Sequence, residues 1–171
     1  MSESDSHKVR EFTEQAGDKT CPSQPKPMSR EAALFITRMI VSELDELLCT
    51  VSQTPEERDQ LLAEAVATRD RCTNFSQSYQ DQPDLVAAQF DALVDAWYYS
   101  LNTAANHGVN LSSIFEVVHN ANMAKRDPVT GKFLRRESDG KIIKPTGWKS
   151  PDIRAEIVRQ LKRGAWKSDR H

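Results

Sequence analysis

The stretch that most restricts the fold is "LVAAQFDALVDAWYYSLNTAANHG", residues 85–108, which is apolar almost all the way round a helix. It predicts a long helix that starts at Asp84, after Pro83, and stops with Gly108 at a C-cap position. A helix with so little polar surface belongs at the centre, with other elements packed around it.

The neighbours are legible on either side. "VREFTEQAG" has Val9 and Phe12 three apart, enough for a short helix that lays one apolar edge on a larger body and ends at Gly17. "DKTCPSQPKP" carries three prolines without apolar periodicity and reads as an extended connector. Ser29 can then cap a long helix carried to about residue 52 by Leu34, Phe35, Met39, Ile40, Leu44, Leu47 and Leu48. At Thr54 a further helix begins with a cap, Pro55 at its first position and Glu57 placed to return a bond to the cap; it runs to about Arg71. "NLSSIFEVVHNANMAK" starts a fourth helix of the bundle, capped by Asn110 or Ser112. After Arg126 the Gly131 and Asp139-Gly140 turns punctuate β-prone runs, giving a small hairpin or ordered loop. "SPDIRAEIVRQLKRG" closes with a short amphipathic helix before a frayed tail, and no internal repeat is read. The domain plan is a polar N-terminal segment over 1–27, an all-α body over 28–165 and a tail over 166–171.

At 171 residues, one domain with a core of useful size is expected. A net charge of -2 gives no general pull toward nucleic acid or an anionic membrane, so any phosphate binding must be local. Cys21, Cys49 and Cys72 lack the spacing of a disulfide framework or a zinc site, and a reduced, cytoplasmic protein is expected. The N-terminus has neither a secretory signal nor a membrane span, so the sequons at Asn74 and Asn110 are read as idle.

Acids within the helices raise the functional question. Glu43 and Glu46 are three apart, about 60° around a helix, and Asp91 and Asp95 are four apart, about 40° around, so each pair shares a face. Ionised carboxylates among the apolar residues of "FDALVDAWYY" are costly unless partnered, and Arg38 is the only basic residue between Glu31 and Leu48. Mg²⁺, which prefers carboxylate oxygens, would fill the vacancy. Against this stands the plain reading of solvated helix faces. His107 and His119 read as packing or surface histidines, and Trp97, Tyr98 and Tyr99 as a core stripe. "KRDPVTGKFLRR" reads as a solvated loop, although a basic loop would also suit a polyphosphate.

Taken in order, "VREFTEQAG", "RMIVSELDELL", "DALVDAWYYSLNTAANHGVN", "IFEVVHNANMAK" and "DGKIIKPTGWKSPDI" resemble the all-α nucleoside triphosphate pyrophosphohydrolases, the MazG-like group, and most of all its phosphoribosyl-ATP pyrophosphohydrolase-like branch. The resemblance implies a four-helix-bundle-like homodimer, or dimer of dimers, with Mg²⁺ or in its place Mn²⁺ held by acids from two helices. It implies Mg²⁺-dependent hydrolysis of a nucleoside or deoxynucleoside triphosphate between the α and β phosphates, a house-cleaning activity without nucleic-acid or membrane partners. Glu43 and Glu46 match the second and third acids of the first family motif as catalytic and metal-binding residues, while Ser42 stands at the first. Asp91 or Asp95 matches the Asp of the second motif as metal ligand, but Ala88 or Ala92 stands where its Glu would be. Asn122 and Lys125 match positions that face the nucleotide, and Lys141 and Lys144 fall in the C-terminal motif, giving four substrate-binding candidates. Such departures leave a second reading, a catalytically degenerate nucleotide-binding or interaction module.

Overall fold

A computed structural model describes residues 4–73 and 75–166; the Asn74 sequon and the tail from residue 167 lie outside them. Among the described residues six α-helices follow one another: α1 (Asp5–Gly17), α2 (Arg30–Cys49), α3 (Pro55–Thr68), α4 (Gln82–Asn106), α5 (Leu111–Met123) and α6 (Ile153–Arg163). Among the described residues there is no extended strand, only two isolated antiparallel bridges, so the all-α reading stands.

Helix boundaries follow local chemistry. Ser29 Oγ accepts from the Ala32 amide, and Thr54 Oγ1 accepts from the Glu57 amide. Glu57 reaches one residue further back than expected, taking the Gln53 amide at 2.6 Å instead of that of the cap itself. At the end of α4 the amides of Val109 and Gly108 return to the carbonyls of Ala104 and Ala105, a Schellman closure that requires the positive φ of 71° at Gly108. α1 starts four residues early because Ser4 supplies a cap, and it ends at Gly17 as expected, although the left-handed residue that closes it is Asp18 (φ 46°).

Contacts divide the chain into two compact units, with a boundary within α4. The first unit holds the N-terminal residues through Ser23 and everything from Asp95 onward. In it α5 packs against both α1 and α6. A polar knot fastens α6 to the start of α5: buried Gln160 donates to Ser113 Oγ (2.9 Å), Asn110 O and Glu156, and accepts from the Asn110 amide. Between α5 and α6 the chain makes a small meander whose two tips are built alike. Arg126 bridges Phe133 and Arg135 bridges Ile142, and each tip closes with an Asp127 or Arg136 amide bonding the Lys132 or Lys141 carbonyl. "RDPVTGKF" and "RRESDGKI" are thus one device repeated nine residues on, which the side-chain pattern alone did not reveal. α1 pins this meander, with Phe12 edge-on to Phe133 at 5.3 Å and Arg135 donating to Ala16 O at 2.9 Å.

The second unit, Gln24–Val94, contains α2, α3 and the first half of α4. α2 and α3 form a hairpin crossed by an Asp45–Arg58 ion pair at 3.1 Å. Gln89 of α4 holds the entry to α2 by exchanging hydrogen bonds with both backbone groups of Met28. The expectation of a buried central helix fails within one chain, since neither α2 nor α4 has a buried residue. Leu47 is 58% exposed, Trp97 51%, Tyr98 68% and Tyr99 71%. Burying a side chain of this kind is worth about 1.5–3 kcal/mol, so these faces carry apolar area that one copy leaves in water.

Candidate active site

α2 presents Glu43 and Glu46 to solvent on one face. Between them in sequence, Asp45 is turned to Arg58 of α3 and spent on holding the hairpin. Glu43 and Glu46 form no ion pair among the described residues. Ser42, at the position of the first family acid, donates its hydroxyl to Arg38 O at 3.0 Å and offers the site no charge. On α4, Asp91 and Asp95 are likewise exposed, one turn apart, and in no ion pair among the described residues. Their exposure removes the argument that burial forces a cation on them.

Among the described residues no three His, Cys, Asp or Glu side chains gather as an ion cage. That suits the chemistry of Mg²⁺, which keeps several waters and takes one or two protein carboxylates together with substrate phosphates. The donor type and the paired spacing fit such an ion. His107 is exposed and His119 is buried against Phe115, its ring stacked at 5.9 Å, so both histidines are structural or surface groups.

The basic candidates all fall in the first unit and two of them converge. Lys125 Nζ donates to Asn122 Oδ1 at 2.7 Å, and the same ammonium lies 5.5 Å from the centroid of the Trp148 ring. Lys144 Nζ lies over that ring at 4.4 Å. An ammonium over an indole gains about 0.5–2 kcal/mol depending on how far it is desolvated. The indole is itself fixed, its Nε1 donating to Ala121 O at 2.8 Å. A tight turn aims it, with the Trp148 amide on Pro145 O and Gly147 at φ 82°, where a side chain would strain the backbone. Partial burial, and then the neighbouring Lys144 charge, push the Lys125 ammonium below its ordinary pKa.

Lys141 and Lys144 also line a groove of about 430 Å³ with Arg136, Ile142 and Ile143. Arg136 is already bound to Asp139, and the Arg136 guanidinium holds that carboxyl below its usual range. The run "KRDPVTGKFLRR" is accordingly divided in purpose. Its Arg126 is taken up by Glu11, Gln15 and the Phe133 ring, and its Arg135 by backbone carbonyls. The groove's own cations come from the following segment, as Lys141 and Lys144. Sequence reasoning gave Trp148 no role; the signal for it was the Pro-Thr-Gly turn placing an aromatic four residues beyond Lys144.

Comparison with known proteins agrees with this architecture. The phosphoribosyl-ATP pyrophosphohydrolase family matches the chain over residues 9–122, a span that contains all four candidate acids and Asn122 but ends before Lys125. No curated protein matches it. A crystal structure of a protein from Exiguobacterium sp. 255-15, provisionally named an NTP pyrophosphohydrolase, is similar with a TM-score of 0.72 at 27% identity. The similarity covers 92% of this chain and 95% of that one. Most of the sequence lies inside the family match and the fold agrees with it, so this chain belongs to the phosphoribosyl-ATP pyrophosphohydrolase family of nucleotide pyrophosphohydrolases.

Proposed function

We propose that the protein hydrolyses a nucleoside or deoxynucleoside triphosphate between the α and β phosphates, with Mg²⁺, or Mn²⁺ in its place, as cofactor. The observation that carries this reading is the division of labour on α2: Asp45 is consumed by Arg58, while Glu43 and Glu46 stay exposed on one face and form no ion pair among the described residues. Glu43, Glu46, Asp91 and Asp95 are the residues to hold the metal. A divalent cation held there would offset the negative charge of the phosphates. Of the chain's own groups, a carboxylate of Glu43 or Glu46 not engaged by metal accepts the proton of the attacking water. Asn122 and Lys125 hold phosphate or sugar, and Lys141 and Lys144 hold the phosphate chain. Water attacks phosphorus directly, without a covalent enzyme intermediate.

The active form in this proposal is a homodimer or a dimer of dimers. Support comes from the exposed apolar faces of α2 and α4, which a second copy would cover. Incubation with a panel of NTPs and dNTPs in Mg²⁺ is expected to release pyrophosphate and the monophosphate; no release from any of them overturns the enzymatic reading.

A second reading, a nucleotide-binding module without turnover, is favoured by Ser42 bonding its own helix and by Ala88 and Ala92 at the second motif. Melting curves with and without Mg²⁺ separate that reading from a scaffold with no site. A ligand that binds only the folded state raises its stability, and Asp95→Asn should remove the metal-induced rise.

A further inference from the structure

Trp148 lies beyond the residues that match the family, and nothing in the proposed chemistry requires an aromatic ring there. Yet the structure invests in it: a glycine turn, a hydrogen bond to Ala121 O, and two ammonium groups brought to one ring. The exposed Lys144 ammonium is brought beside the partly buried one of Lys125, and the two like charges repel each other. The indole face offsets part of that, and a polyanion lying across both ammonium groups would offset the rest. Asp139, the acid next to the groove on the meander, is engaged by Arg136 at 2.8 Å and does not supply that anion.

The indole N–H is engaged by Ala121 O, so it cannot read the edge of a base, and what the ring gathers is cations. We infer that Trp148 is a positioning residue whose ring holds Lys125 and Lys144 together as a receptor for a polyphosphate chain, independent of base. Asn122 steadies Lys125 from the other side, and Lys141 extends the receptor along the groove. The inference rests on the nucleotide-hydrolase reading for its biological ligand, but its test does not need turnover.

The test titrates inorganic tripolyphosphate into the full-length protein without divalent metal, following both heat and indole fluorescence. Binding is expected, with a change in the emission of wild type that Trp148→Phe lacks. Trp148→Leu and Lys144→Gln are each expected to weaken Kd on the order of tenfold. Trp148→Phe should restore most of the affinity, because a phenyl face still attracts ammonium groups. Equal affinity in wild type, Trp148→Leu and Lys144→Gln overturns the inference, as does failure of wild type to bind. If Trp148→Leu does not fold, exposed Lys144→Gln decides alone. Pyrophosphate release from NTPs without tripolyphosphate binding would sink the receptor and leave the hydrolase; binding that obeys these variants without turnover would do the reverse.

Discussion

The basic corner around Trp148 and the acidic face of α2 carry opposite charges and differ more deeply in how they are finished. In the first, nearly every polar group has a local partner: Lys125 on Asn122, Trp148 on Ala121, Arg136 on Asp139, and Gln160 in a four-membered knot. In the second, one ion pair ties α2 to α3, and the remaining acids and large apolar side chains face water. A region with satisfied polar groups holds its shape alone. A region with exposed leucines beside acids that form no ion pair among the described residues leaves its apolar area and its charge to water.

The comparison breaks most visibly at the apolar face of α2. Leu47→Asp is expected to cost the assembly about 3 kcal/mol and give monomers in sedimentation; an unchanged oligomer would mean that α2 faces water by design. Glu46→Gln sharpens the contrast differently. It should lower pyrophosphate release by about a hundredfold without lowering the melting temperature, because the carboxylate has no partner to lose. In the finished region the opposite split applies. Gln160→Leu strands the Asn110 amide and Ser113 and should cost about 2 kcal/mol in denaturant unfolding, with the oligomer intact.

Glu156 gives the finished region a pH signature. Arg159, then Ser113 and Gln160, hold its carboxyl at about 2, down from an ordinary 4.5. Its stabilisation is therefore fully present above about pH 4.5 and is lost as pH falls toward 2. The melting temperature of wild type should decline through that window, and Glu156→Gln should flatten the decline. The smallest effect belongs to the α2–α3 tie: Asp45→Asn should cost about 0.5 kcal/mol, since both partners are partly exposed.

These outcomes also show which parts of the molecule are legible in the sequence. Caps are local chemistry, so Ser29, Thr54 and Asn110 announce their helices, and Gly108 announces an end. The apolar girth of α4 announces burial, yet no residue of α4 is buried, and the expectation of a central helix within one chain fails. Hydrophobicity does not distinguish a neighbour in the same chain from one in another. The shared face of Glu43 and Glu46 is a matter of spacing and is legible, whereas the tie of Asp45 to Arg58 is not, because Arg58 belongs to the next helix and only the folded hairpin brings it near. Nor was Trp148 legible, because its importance arises from Lys125, Lys144 and Ala121, which only the folded turn brings together.

The twin tips of the meander give the protein a unit of length. Because Arg126 and Phe133 correspond to Arg135 and Ile142, excising residues 127–135 would join Arg126 to Arg136 and leave one intact tip in unchanged phase before Lys141. What such a shortening forfeits is the grip on α1 through Phe133 and Arg135, not the path of the chain toward Trp148. The tip is therefore a module of nine residues, and the anchoring of the first helix is the property that its removal would change.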